Sequence, residues 1–200
     1  MSTTITKEVN NNLCNGLNFE PKKWKEYSVE STTNCYIYAL NLPMDPYTGS
    51  NYISWDYIQP GRLGGNIQIK ERLHCPFKTE VVIDAVKKDL AAIGMEIVES
   101  TFDEVREGNW WKVALVFDNS TRIFSRGDYH WYRQNMDGTW SHKQGNGPVR
   151  NTDDSDKVIT NQETCDRGRY TVFAGYYMIR KKRGRKPKSF KAMLKKIAGI

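Results

Sequence analysis

Between residues 80 and 94, apolar positions recur at spacings of three and four: Val82, Ala85, Val86, Leu90 and Ile93 in EVVIDAVKKDLAAIG. That period puts them on one stripe of an α-helix. Gly94 stands where a left-handed residue ends helices. The period then changes. MEIVES reads as a strand. Four further segments carry β-branched and aromatic residues between turn residues: WKVALVFD (111–118), DYHWYRQN (128–135), GTWSHKQ (138–144) and YTVFAGYYMI (170–179). Residues 145–168 form a loop rich in Gly, Asn and Asp. Ahead of the helix the pattern is less regular. Residues 1–15 are polar and Asn-rich, and Trp24, Tyr27 and Val29 give residues 21–30 something to pack. Thr32 and Thr33 are N-cap candidates for a helix over about 34–42, which Pro43 stops. Residues 43–79 are rich in Gly, Pro and aromatics without a period, and read as a covering layer beside that helix start. Helices first, then a run of antiparallel strands, is an α+β order. No internal repeat is visible. The chain divides into a loosely held segment 1–20, one domain over 21–179 and a tail over 180–200.

Two hundred residues, 38% hydrophobic and 12% aromatic, suit a single domain with a core. The net charge of +7 changes that picture only at one end. Residues 180–200, RKKRGRKPKSFKAMLKKIAGI, hold ten Lys and Arg and no acid, leaving 20 bases against 23 acids elsewhere, a net of −3. Such asymmetry marks an interaction tail. Arg180, Lys181, Lys182, Arg183, Arg185, Lys186 and Lys188 are its binding candidates. RGRKP resembles the core of an AT-hook, and SFKAMLKKIAGI can form a basic amphipathic helix. The expected partner is anionic: nucleic acid, an envelope polymer or a membrane surface. MSTTITKEVNNN lacks the apolar region of a signal peptide, and no run has transmembrane length. The expectation is cytoplasmic synthesis without a signal peptide or membrane span, followed by association with a particle such as a virion or by release along a non-classical route.

Four cysteines (Cys14, Cys35, Cys75, Cys165) and three histidines (His74, His130, His142) carry the candidate chemistry. Their spacing matches no zinc pattern. Adjacent His74 and Cys75 point opposite ways on an extended segment. No metal or cofactor is expected. Cys35 falls in the first turn of the helix that follows the threonines, where backbone N–H groups favour a thiolate; the commoner fate of a lone cysteine is burial as a small hydrophobe. GDYHWYRQNMDGTWSHKQG reads as a β-hairpin with a histidine on each arm. A Met136-Asp137-Gly138 loop with Gly138 left-handed pairs Asn135 with Thr139 and puts His142 opposite Tyr132. His130 and His142 are then diagonal neighbours on one face. A loop of two or four residues puts them on opposite faces. Gln144 is the alternative partner for His130; Asp128 and Asp137 are weaker ones near strand ends.

A cysteine at a helix start, a histidine on a strand and a polar residue on the next strand resemble the order in papain-fold cysteine peptidases. The spacing is most similar to the NlpC-like cell-wall peptidases. The resemblance covers about residues 30–179 in order and short patches. It departs at Asn34-Cys35-Tyr36-Ile37, where that family shows D-C-S-G, and in the long insertion holding the 80–94 helix. It implies an α+β, papain-like fold and a thiol hydrolase, a cysteine peptidase or amidase that cleaves an amide bond in a peptide or peptidoglycan-type substrate. Cys35 is then the nucleophile, His130 the base and His142 its orienting partner. The Cys35 amide and a second donor, from Asn34 or residues 27–33, would hold the oxyanion. Tyr27, Trp55 and Tyr57 would line the cleft. A phage lysin or antibacterial effector fits such an enzyme with a cationic tail. The other class is a non-catalytic binding or virion-associated protein whose tail is the active element.

Overall fold

The computed structural model describes residues 15–25, 27–42, 47–48, 51–52, 58–65, 75–120 and 127–183. The apolar stripe forms helix α3, Thr79–Ala92, which buries Val82, Ile83, Ala85, Val86 and Leu90. Gly94 ends it at φ 74°. The other helices are short: α1, Tyr27–Glu30, after a 3-10 turn Pro21–Trp24, and α2, Cys35–Ala39. α2 stops before Pro43. Asn41 takes the left-handed conformation (φ 53°), and Leu42 N–H closes back on the Ile37 carbonyl at 3.2 Å.

Strands β1, Tyr47–Thr48, and β2, Asn51–Tyr52, pair with each other. The remaining strands are β3 Met95–Ser100, β4 Trp111–Asp118, β5 Asp128–Gln134, β6 Trp140–Lys143, β7 Val149–Arg150 and β8 Val172–Lys181. They form one sheet in the order β3-β8-β4-β5-β6-β7, with every neighbour antiparallel. The last strand in sequence thus inserts beside β4, whose eight positions are all buried. A bulge interrupts β4–β8 between Leu115 and Val116, opposite Gly175 at φ 124°.

The sheet has two covers. On one face Val113, Leu115, Phe117, Trp131 and Ile179 pack against α2 and α3. On the other, Ala114, Val116, Tyr132, Trp140 and Tyr176 pack against Ile159, Tyr170 and Phe102 from irregular segments. The expected α+β, papain-like arrangement is therefore not the one adopted; the fold is β-rich. The physical reason is local. Residues 34–42 yield only a five-residue helix, α3 is the one long helix described, and all strands from Met95 onward join a single antiparallel sheet whose second face is covered by loops.

Both ends of the expected domain extend. Leu17 N–H donates to the Gln134 carbonyl at 3.0 Å and the Leu17 carbonyl accepts from Met136 N–H at 3.1 Å, so the chain from Asn15 on is part of the body. β8 carries Arg180 and Lys181 into the sheet. Arg180 binds Glu96 at 2.6 Å and sits over the Trp110 ring at 4.4 Å; Lys182 pairs with Glu96 at 3.2 Å. Arg183 follows as an exposed turn residue. Arg185, Lys186 and Lys188 lie outside the described residues. Among the described residues, no helix is long and apolar enough to cross a membrane.

Candidate functional site

The start of α2 is built by Asn34. Extended at φ −99° and ψ −177°, it accepts from Ile37 N–H at 3.0 Å through Oδ1 and donates from Nδ2 to the Ile58 carbonyl at 2.8 Å. The threonines expected to cap α2 instead close α1: the hydroxyls of Thr32 and Thr33 both donate to the Val29 carbonyl. Asn34 thus serves as cap and brace, and it also lines the cleft. Cys35 is the first helical residue, only 7% exposed, with its thiol directed to the Tyr129 carbonyl at 3.9 Å. Burial and the nearby Asp128 carboxylate push the thiol up to about 12, against the Trp131 and Tyr36 N–H groups. The resting group is a neutral thiol.

The hairpin has the register read from its loop. Gly138 is left-handed at φ 84°, Asn135 N–H donates to the Thr139 carbonyl at 2.8 Å, and Tyr132 stands opposite His142. His130 Nε2 lies 2.8 Å from His142 Nδ1, and His142 Nε2 lies 2.9 Å from the Thr152 carbonyl. These contacts set the tautomers. A carbonyl only accepts, so His142 Nε2 carries the hydrogen, and the neutral ring offers Nδ1 as acceptor. His130 Nε2 therefore donates, which leaves His130 Nδ1 as the basic nitrogen. Burial pushes His130 well below its ordinary range, with His142 adding to the effect, and takes His142 down to about 4. Both rings are neutral at pH 7. Aromatic faces hold them: Tyr170 stacks on His130 at 5.1 Å and Tyr132 on His142 at 5.0 Å.

Cys35 and His130 line one cleft of about 540 Å³ together with Asn34, Gln59, Asp128, Tyr129, Gln144, Gly145, Asp154, Arg169 and Tyr170. Asp128 is occupied at its rim, bound by Arg169 and by the Tyr170 hydroxyl at 2.9 Å. Asp137 caps the hairpin turn through Thr139 N–H at 3.0 Å. Gln144 reaches Asp154 at 3.3 Å rather than either histidine. Lys143, buried and pushed down to about 8, ties the cleft edge together by donating to the Glu30 and Gly145 carbonyls at 2.6 and 2.8 Å.

Tyr27 opens α1, but its side chain lies outside the described part of the structure, as do Cys14, Trp55, Tyr57 and His74 altogether. Cys75 and Cys165 are half-buried free thiols. Among the described residues no group of three or more His, Cys, Asp or Glu is arranged to hold a metal ion. Gln59, Arg169 and Tyr170 are cleft residues that the sequence pattern did not single out. Gln59 and Arg169 sit in stretches without hydrophobic period and Tyr170 at the start of a strand segment, and only the tertiary fold brings them to the cleft that holds Cys35.

A curated relative, insoluble matrix shell protein 1 of Ruditapes philippinarum, is 30% identical over 158 residues, covering 79% of this chain and 86% of that protein. No family model and no solved structure matches the chain.

Proposed function

The chain belongs to the family of insoluble matrix shell protein 1, and we propose that it is a thiol hydrolase acting on an amide bond in a peptide or peptidoglycan-type substrate. The observation that carries this reading is the hydrogen-bonded relay His130–His142–Thr152, with contacts of 2.8 and 2.9 Å, whose first member lines the same cleft as Cys35. A base oriented by a second group that is itself oriented is the arrangement that activates a weak nucleophile.

In this mechanism the thiol turns from the Tyr129 carbonyl to His130 Nδ1. Its proton passes to that nitrogen as sulfur attacks the carbonyl carbon, so no free thiolate precedes the reaction. The Cys35 amide, which has no partner within α2, donates to the oxyanion. The imidazolium, held through Nε2 by His142, returns the proton to the departing nitrogen. Water then releases the acyl group by the reverse sequence.

The test is alkylation by iodoacetamide, read at each cysteine by peptide mass mapping. Cys35 should lose at least tenfold in rate in His130→Ala, while Cys75 and Cys165 keep theirs. A Cys35 that is inert, or indifferent to His130, overturns the reading. Peptide and peptidoglycan panels on wild type and Cys35→Ala then identify the bond.

The relative's name favours a second reading, in which the chain is a non-catalytic component of an insoluble matrix, anchored by its basic tail to an anionic partner. Loss of retention on an anionic polymer after truncation at Arg183, with a steep fall in wild-type retention as salt rises, together with unreactive Cys35, would favour that alternative.

A further inference from the structure

We propose that Lys143 is a positioning residue of this site: its buried ammonium supports the negative charge that gathers on the Cys35 sulfur as the thiol attacks, and holds the cleft wall at Gly145 to the end of α1. The inference rests on the thiol-hydrolase reading above and adds to it a fixed charge that assists the attack.

Strand alternation puts Lys143 on the face of β6 opposite to His142, where it is fully buried. Its Nζ donates to the carbonyl of Glu30, the last residue of α1, at 2.6 Å and to the Gly145 carbonyl at 2.8 Å. Glu30 lies five residues before Cys35, and Gly145 lines the cleft with Cys35. One side chain therefore joins the approach to the nucleophile to a wall of the cleft. Its partners are main-chain carbonyls, which carry no net charge, so the ammonium keeps its own. Burial and Asp128 raise the Cys35 thiol; the Trp131 and Tyr36 N–H groups and the Lys143 charge draw it down. The groups acting on Lys143 in return are Glu30 on α1 and Cys35 on α2. Arg133 of β5, on the same face, is turned to Tyr38 and Asn41; on β7, Val149 stands opposite Lys143 and Arg150 reaches Gln144 and Asp154. His130 lies on the other face and is pushed down by burial, then by His142, Arg169 and Arg150. Lys143 therefore favours negative sulfur without opposing the arrival of the proton at His130 Nδ1.

Charge and tie can be separated by pH. Burial takes Lys143 down to about 8, with Glu30 and Cys35 opposing. Above that pH the neutral amine still has two hydrogens, enough for both carbonyls, so the tie outlasts the charge.

The test is the pH profile of alkylation by iodoacetamide in the full chain, read at each cysteine by peptide mass mapping. The sulfur–carbon bond forms, iodide leaves and the thiol proton goes to His130 Nδ1. An ordinary thiol reacts faster as pH rises, because its thiolate fraction grows. Cys35, held at about 12, gains little thiolate between about pH 6.5 and 9.5. Its rate in wild type should instead fall as pH rises through about 8, by about threefold to tenfold. Lys143→Arg, whose charge persists, should stay flat over that range. Lys143→Met should be flat and slow throughout, near the wild-type rate at high pH. Unchanged rates at Cys75 and Cys165 show that the variants are folded; if Lys143→Met does not fold, wild type and Lys143→Arg still decide. A Cys35 rate that depends on His130 but does not fall through pH 8, or a Lys143→Arg profile that falls like wild type, overturns the role of Lys143 and leaves the hydrolase reading standing. A wild-type Cys35 that reacts no faster than Cys75 and Cys165, or is indifferent to His130, overturns both.

Discussion

The two faces of the sheet are built by different means, and the cleft lies where they meet. The helix-covered face is aliphatic and regular: Val82, Val86 and Leu90 of α3, Ile37 of α2 and Leu40 at its C-cap lie against Val113, Leu115 and Ile179. The loop-covered face is aromatic and polar. Tyr132, Trp140 and Tyr176 are covered by residues 151–170, a stretch held by hydrogen bonds such as Asp153 Oδ1 to Lys157 N–H at 2.9 Å and Asp153 Oδ2 to Asp166 N–H at 3.0 Å. Cys35 belongs to the first assembly; His130, His142 and Tyr170 belong to the second. The cleft that Cys35 and His130 both line is thus a product of the tertiary fold, each side of it built by its own layer.

The largest expected effect comes from removing one half of the site while leaving the other. His130→Ala and Cys35→Ala should each cut turnover of the identified amide substrate by about 10³-fold or more, the double variant being no worse than either alone, because groups that act as a unit are not additive. Single-turnover assays of the three variants check this; additive losses would mean that the two residues do not act on one step.

Stability should divide along the same line. Leu115→Ala opens a cavity in the fully buried helix face and should cost about 3 kcal/mol, within the range for buried leucines. Tyr170→Phe on the loop side removes one hydroxyl from Asp128 and should cost about 1 kcal/mol. Urea unfolding of the two variants measures both; a Tyr170→Phe loss as large as that of Leu115→Ala would make the loops part of the core in energetic terms.

What could be read from the chain alone follows the same division. α3 and its end at Gly94 were legible because period and terminator agree over fourteen residues. The hairpin register was legible because Gly138 admits the left-handed turn, and that register fixes His130 beside His142. The fold class was not. It depended on taking residues 34–42 as a substantial helix, and Asn41 ends that helix two residues before Pro43. Nor was the capping choice: Thr32, Thr33 and Asn34 are all good caps in isolation, and contacts to Val29 and Ile58 decide between them. Gln59 lies in an aperiodic stretch whose place depends on the bonds of Ile58 to Asn34 and of Gly61 and Gly64 to Asp89, across 24, 28 and 25 residues.

The two faces should also answer acid with opposite sign. On the loop side, burial holds His142 near 4 and His130 well below 6.5. Unfolding releases both to the ordinary value, so their contribution is full above pH 6.5 and is lost as pH falls, for His142 by roughly 3 kcal/mol on reaching pH 4. On the helix side, burial raises Asp89 to about 6 despite its bonds to Gly64, Gly61 and Tyr36. Its contribution is full below pH 3.8 and is lost as pH rises through 6, again by roughly 3 kcal/mol. Unfolding free energy should therefore fall in wild type as pH drops from 6.5 towards 4, since two histidines oppose one Asp89 there. His142→Gln, which can still donate to Thr152, should make that fall shallower; Asp89→Asn should make it steeper. Two variants with the same pH slope would break the division.

The smallest effect is expected at the cleft rim. Arg169 pairs with Asp128 and, at 3.8 Å, with Asp118, but its side chain is 58% exposed. Solvent screens such pairs, and exposed ones contribute about 0.2–1 kcal/mol. Arg169→Ala should therefore unfold within about 1 kcal/mol of wild type in urea. Its consequence should appear instead in the cleft. Asp128 raises the Cys35 thiol, and without Arg169 that carboxylate keeps the Tyr170 hydroxyl but loses its cationic partner. Alkylation of Cys35 should slow modestly, by about twofold to threefold, and 0.5 M salt should slow the wild type towards the variant, since an ion pair at this exposure is the component salt weakens first. A large loss of stability in Arg169→Ala would instead make the rim a structural strut joining the two layers, and the layers would no longer be independent.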